Sequence, residues 1–126
     1  MSNLNPNPQI YVVDDSPELG EMLEVFLKAA GYSTRVFTDP LAALTAIGSA
    51  ESKPDLLVSD FHMPGINGLE LIHRCRQIHP RLKTIAASAH VVDEELEKYP
   101  VQPNRILHKP YTTNELLQTV KSLLVD

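Results

Sequence analysis

The chain has little cysteine, no long apolar run and a shortage of positive charge, and each absence excludes something. A single cysteine, Cys75, among 126 residues rules out an internal disulfide and suits a reducing cytoplasm, where we expect the protein to work. No stretch of 18 or more apolar residues occurs, so no helix is expected to span a membrane. Lys and Arg number 11 against 16 Asp and Glu, a net charge of −5. Neutralising nucleic-acid phosphates takes a basic surface, so direct nucleic-acid binding is not expected. Residues 1–8 are polar, Asn/Pro-rich and lack a signal-peptide hydrophobic region. They read as a flexible tail, and 9–126 as one domain that ends with its last helix, leaving no room for an effector. At 43% hydrophobic residues, a domain of this length buries a core without staples.

What the chain does contain is a fivefold alternation. Ile10–Val13, Ser33–Phe37, Asp55–Ser59, Thr84–Ala87 and Arg105–His108 read as strands. Between them run helical patterns. The clearest is Leu19, Met22, Leu23, Phe26, Leu27 and Ala30, and the last is Leu116, Leu117, Val120, Leu123 and Leu124. Ser16 with Pro17 makes a helix start, Thr112 to Glu115 a capping box, and Gly31 a helix stop. Cys75 follows Leu69 and Ile72 at helical spacing and reads as a small core residue. Three strands are continuous apolar runs, the mark of a parallel sheet covered on both faces. Five such units predict a three-layer αβα sandwich. Pro100 and Pro103 limit the helix carrying Val92, Leu96 and Tyr99 to a short one with a stiff exit.

In an open parallel sheet, ligands bind beyond the C-terminal strand ends. Those ends carry Asp14 and Asp15, Asp60, Ser88 and Lys109. Two unit charges about 4 Å apart repel by about 4 kcal/mol at an effective dielectric of 20. Three converging carboxylates would therefore protonate or hold a divalent cation, and hard oxygen donors suit Mg²⁺. A lysine and a hydroxyl on the far side complete a cradle for a phosphoryl group. One carboxylate is then left as a nucleophile, and Asp60 is the candidate. Each residue alone has a plainer reading. Ser16, Pro17 and the preceding acid start a helix, Thr38-Asp39-Pro40 repeats that device, and a serine or lysine after a strand is ordinary. Their joint placement is what carries the argument.

Asp14-Asp15, Asp60-x-x-Met63-Pro64-x-x-Asn67-Gly68, Ser88-Ala89 and Lys109-Pro110-Tyr111, in that order, resemble the receiver domain of two-component response regulators. The resemblance covers Gln9 to Leu124. It implies a flavodoxin-like (β/α)5 fold with strand order 2-1-3-4-5, the order of the doubly wound sheet in chemotaxis receivers. It implies that Asp60 accepts a phosphoryl group from a histidine kinase or histidine phosphotransfer protein. Asp15, Asp60 and the His62 backbone carbonyl would hold Mg²⁺, or Mn²⁺ in its place, with Asp14 helping through water. Ser88 would be the switch hydroxyl, Lys109 the phosphate partner, and Lys109–Pro110 a cis bond. The chain would be a phosphorelay switch that assists its own phosphorylation and hydrolysis, not a turnover enzyme.

Departures from the family pattern are specific. Ile106 stands where many members carry an aromatic switch residue, and Pro100 and Pro103 replace the usual Gly-Ala-containing exit from the fourth helix. His62 and His90, two residues beyond Asp60 and Ser88, are placed to influence phosphoryl lifetime between about pH 5 and 8, where imidazole titrates; as loop residues they also have a plain solvent-facing reading. His108 is expected to point away from the site, and His73 and His79 to lie on a helix surface. Two rival classes fit the residues less well. A Mg²⁺-dependent aspartyl-phosphate phosphatase commonly needs an acid where His62 stands. A flavodoxin-like cofactor carrier would not place Asp14-Asp15 in its phosphate loop.

Overall fold

The computed structural model describes residues 7–49, 53–89, 93–99 and 102–124. Its elements are β1 (Gln9–Val13), α1 (Pro17–Ala29), β2 (Ser33–Phe37), α2 (Pro40–Ser49) and β3 (Leu56–Asp60), then α3 (Gly68–Ile78), β4 (Lys83–Ser88), α4 (Asp93–Leu96), β5 (Arg105–His108) and α5 (Thr113–Leu124). All four strand pairings are parallel and the order is β2-β1-β3-β4-β5. This is the expected flavodoxin-like three-layer sandwich.

Strand alternation sorts the core into two halves, because successive side chains point to opposite faces. Ile10 and Val12 of β1 join Leu56 and Val58 of β3 against Leu23 and Leu27 of α1 and Leu116 and Val120 of α5. Tyr11 and Val13 turn the other way, with Leu57, to meet Ala43 and Ile47 of α2 and Leu71, Ile72 and Cys75 of α3. A fully buried side chain of this size contributes about 1.5–3 kcal/mol, so the two faces carry most of the folding drive. Cys75 is wholly buried, as its spacing predicted. A third, smaller cluster packs Phe61 and Leu69 with Leu96, Tyr99 and Ile106.

Local signals place the helix ends. Ser16 caps α1 through Leu19 N, with Pro17 in the first turn, and Gly31 follows with φ 98°. At α5 both halves of the capping box form: Glu115 N donates to Thr112 Oγ1 (3.0 Å) and Thr112 N to Glu115 Oε1 (3.3 Å). Helix α4 has four residues, and Gln102 Nε2 closes it by donating to Leu96 O (2.6 Å) and Tyr99 O (3.0 Å). Val92 and Pro100 lie outside the described residues.

Three expectations are corrected. Strand β3 starts one residue later than expected and includes Asp60, while Asp55 instead accepts from Gln9 N through its side chain (2.9 Å). Leu19 and Met22 are not core: they are 41% and 43% exposed. The buried line of α1 runs through Gly20, Leu23 and Leu27, because a Cβ at Gly20 would stand 2.6 Å from Val36 Cγ1 and only glycine lets the helix sit that close. His73 and His79 are half-buried rather than surface residues. The His79 ring bonds to Pro54 O through Nε2 (2.9 Å), and the His73 ring packs 6.3 Å from Tyr99.

Candidate functional site

Every group the strand ends were expected to offer is brought to one edge of the sheet. Asp14 leaves β1 with its N–H still bonded to Phe37 O (3.0 Å), which extends the ladder and holds the residue in place. Its Oδ1 accepts from Ser16 N (2.9 Å), so the turn that starts α1 also orients the carboxylate. Asp14 is buried and Asp15 exposed. Asp60 is the last residue of β3, paired with Ala87 of β4. Carboxylate oxygens of Asp14, Asp15 and Asp60 all lie within 4.8 Å of one another.

Lys109 supplies the opposing charge. Its Nζ lies 2.8 Å from Asp60 Oδ1, with the lysine side chain 29% exposed and the aspartate 11%. The same Oδ1 also accepts from Phe61 N (3.0 Å). Both donors thus fall on one oxygen of the carboxylate. Lys109 N donates to Ser88 O (2.9 Å), and the Lys109–Pro110 bond is cis, as expected. Ser88 is buried at the end of β4, opposite His108 in the register.

Crowding shows in the titration of the site. Burial pushes the Asp14 carboxyl above its ordinary value; the Ser16 N–H opposes this, Asp60 adds to it, Lys109 opposes it and Asp15 adds again. Among the described residues one ammonium faces three carboxylates here, and the donor set is all hard oxygen with one member open to water. That chemistry fits a Mg²⁺-type cation, which keeps part of its hydration shell.

The remaining predicted positions divide. His62 is exposed, with its ring 4.7 Å from that of Phe61 in an edge-on contact. His90 lies outside the described residues. Ile106 is half-buried in the Phe61 cluster, where Phe61 and Tyr99 supply the aromatic rings. His108 is exposed and Lys109 half-buried. Sequence reasoning assigned no role to Tyr111, although it stands in the Lys109-Pro110-Tyr111 triplet. It lines a cavity together with Asp14 and Lys109, and its hydroxyl is pushed above its ordinary pKa by burial first, then by Asp14 and Asp60.

Known proteins share both the frame and the chain. Residues 10–121 match the family model for the response regulator receiver domain. The DNA-binding transcriptional regulator NtrC of Escherichia coli K12 is 34% identical over 113 residues, covering 89% of this chain and 24% of that protein. The DNA-binding response regulator MtrA of Mycolicibacterium smegmatis is 33% identical over 120 residues, covering 92% and 50%. The chain therefore spans between about a quarter and half of the length of these relatives. The solved structure of response regulator TrrA from Thermotoga maritima, in complex with Mg²⁺-BeF, superposes with a TM-score of 0.81 at 30% identity, covering 93% of this chain and 99% of that one. With the match running from β1 into α5 on a sheet of the implied order, the chain belongs to the response regulator receiver domain family.

Proposed function

We propose that the chain is a phosphorylation-controlled signalling switch of a two-component or phosphorelay system, with Asp60 as phosphoacceptor. The observation that carries this is the placement of Lys109 Nζ and Phe61 N on a single oxygen of Asp60. Oδ2 attacks the phosphorus of a phosphohistidine on a histidine kinase or histidine phosphotransfer protein. The new O–P bond forms as the P–N bond breaks, and the imidazole nitrogen keeps the electron pair. Lys109 offsets the charge on the transferred oxygens, and Ser88 contributes its hydroxyl to one of them.

Asp14, Asp15, Asp60 and the His62 backbone carbonyl would hold Mg²⁺, or Mn²⁺ in its place. Bound there, the cation neutralises carboxylate and phosphoryl charge that Lys109 alone does not balance. His62, at the exposed rim, controls the approach of water to the phosphorylated residue, and His90 is assigned the same role. The chain is a phosphoacceptor that assists its own phosphorylation and hydrolysis rather than a turnover enzyme. Phosphorylation shifts a two-state equilibrium, and a downstream effector protein or domain reads the shifted face.

Incubation with phosphoramidate and Mg²⁺, followed by intact mass, tests the assignment. One phosphoryl group per chain is expected, and none in Asp60→Asn. Equal labelling of that variant would remove Asp60 from the role.

A further inference from the structure

Ser59 has no part in the chemistry assigned above, yet it is wholly buried directly before Asp60. Strand alternation turns its side chain to the face where Leu57 packs among the apolar residues of α2 and α3. A hydroxyl buried there needs a partner, because desolvating one without a hydrogen bond is costly. Its partner is a main-chain carbonyl: Ser59 Oγ donates to Asp60 O (2.9 Å). That carbonyl lies where the sheet runs out. The pairing of β1 with β3 ends at Val13 and Ser59, and the next amide of β1, Asp14 N, bonds to Phe37 O of β2 instead.

The far end of the same peptide group reaches the site. Phe61 N donates to Ala87 O (2.8 Å) and to Asp60 Oδ1 (3.0 Å). A peptide group is planar, so a bond that fixes its oxygen also fixes the direction of its N–H. Polarisation acts in the same sense, since hydrogen bonds in a chain strengthen one another. Resting on the phosphoacceptor reading, we propose that Ser59 is a positioning residue for phosphoryl transfer. Its hydroxyl holds the Asp60–Phe61 peptide group, and that group holds the carboxylate that reacts. With phosphoramidate as donor, Asp60 Oδ2 bonds to phosphorus as the P–N bond breaks, and the protonated nitrogen of the donor leaves as ammonia with the electron pair.

Labelling by phosphoramidate at saturating Mg²⁺, followed by intact mass, gives a maximal rate and a half-saturating donor concentration. In Ser59→Ala the maximal rate is expected to fall about tenfold, the size of effect one hydrogen bond carries. The half-saturating concentration should stay unchanged, as it does when the lost interaction serves the reacting geometry rather than donor binding. Ser59→Thr and Ser59→Val form a matched pair: both add similar bulk to the buried site, and only threonine keeps the donor. Threonine is expected to label faster than valine by about the same tenfold factor. Circular dichroism melts keep each assay below the midpoint of the variant tested. A wild-type maximal rate in Ser59→Ala, even with a lower midpoint, would reduce Ser59 to a structural donor. Equal rates in the threonine and valine variants would do the same. Either result overturns the positioning role and leaves Asp60 as acceptor, whereas wild-type protein that takes no label overturns both.

Discussion

Gly68 sits so close to the backbone of Asp60 that a Cβ added to it would stand 2.5 Å from the Asp60 carbonyl oxygen. Gly68 N also donates to Phe61 O (2.8 Å), so the first turn of α3 is built directly onto the end of β3. Gly68→Ala must push the two apart. The expected loss is about 1–3 kcal/mol, the usual range for overpacking, read as a lower urea midpoint. Labelling at Asp60 should slow as well, because the carboxylate shifts relative to Lys109. A variant with wild-type midpoint and labelling rate would contradict the contact.

Asp14 should behave as a charge held against the interest of the apo fold. Burial raises its pKa, with Asp60 and Asp15 adding to the effect. A carboxyl whose folded pKa lies above its unfolded one contributes stability below the unfolded pKa, and that contribution is lost as pH rises through the folded pKa. At neutral pH, then, Asp14→Asn is expected to stabilise the chelator-treated protein by on the order of 1 kcal/mol. The asparagine Oδ1 can still accept from Ser16 N. Excess Mg²⁺ should reverse the ranking, since ligand binding stabilises whichever variant binds it more tightly. Thermal melts with chelator and with Mg²⁺ measure both arms.

Cys75 is predicted to be inert in the folded chain. Burial pushes its thiol up to about 12, so the nucleophilic thiolate is scarce at pH 8. Reaction with a disulfide reagent such as Ellman's should run roughly a thousandfold slower in buffer than in concentrated urea, limited by opening of the fold. Comparable rates in both solvents would show that the thiol is accessible.

The short helix α4 depends on a neighbour outside it. Gln102→Ala removes both bonds that close Leu96 O and Tyr99 O. Net loss is expected at about 1–2 kcal/mol for the pair, confined to residues 93–99. Hydrogen exchange should quicken there while the amides of β1 and β3 keep their protection. Uniform acceleration would mean that the glutamine acts on global stability instead.

Much of this was legible from residue order alone. Continuous apolar runs announced a parallel sheet, because a strand buried on both faces has no polar side to show. Ser16, Gly31 and the Thr112–Glu115 box marked helix ends for reasons local to each. The gathering of Asp14, Asp15, Asp60, Ser88 and Lys109 followed from one topological rule about strand ends. What escaped depends on tertiary angles. Leu19 and Met22 fit a helical apolar stripe, yet the roll of α1 is set by the close approach of Gly20 to Val36, which periodicity does not report. The bond from the His79 ring to Pro54 O joins loops 25 positions apart. Which oxygen of Asp60 receives Lys109 depends on the register between β3 and β5, two strands separated by β4.

The bond from Lys109 N to Ser88 O joins the exits of β4 and β5, while the Lys109 ammonium is tied to Asp60 on β3. Three neighbouring strands are thereby yoked through one residue. On the proposed reading, a change in the charge at Asp60 is met first by the Lys109 ammonium, in the residue whose main chain is bonded to that of Ser88. The ends of β3, β4 and β5 are thus joined through Lys109 without an aromatic at position 106.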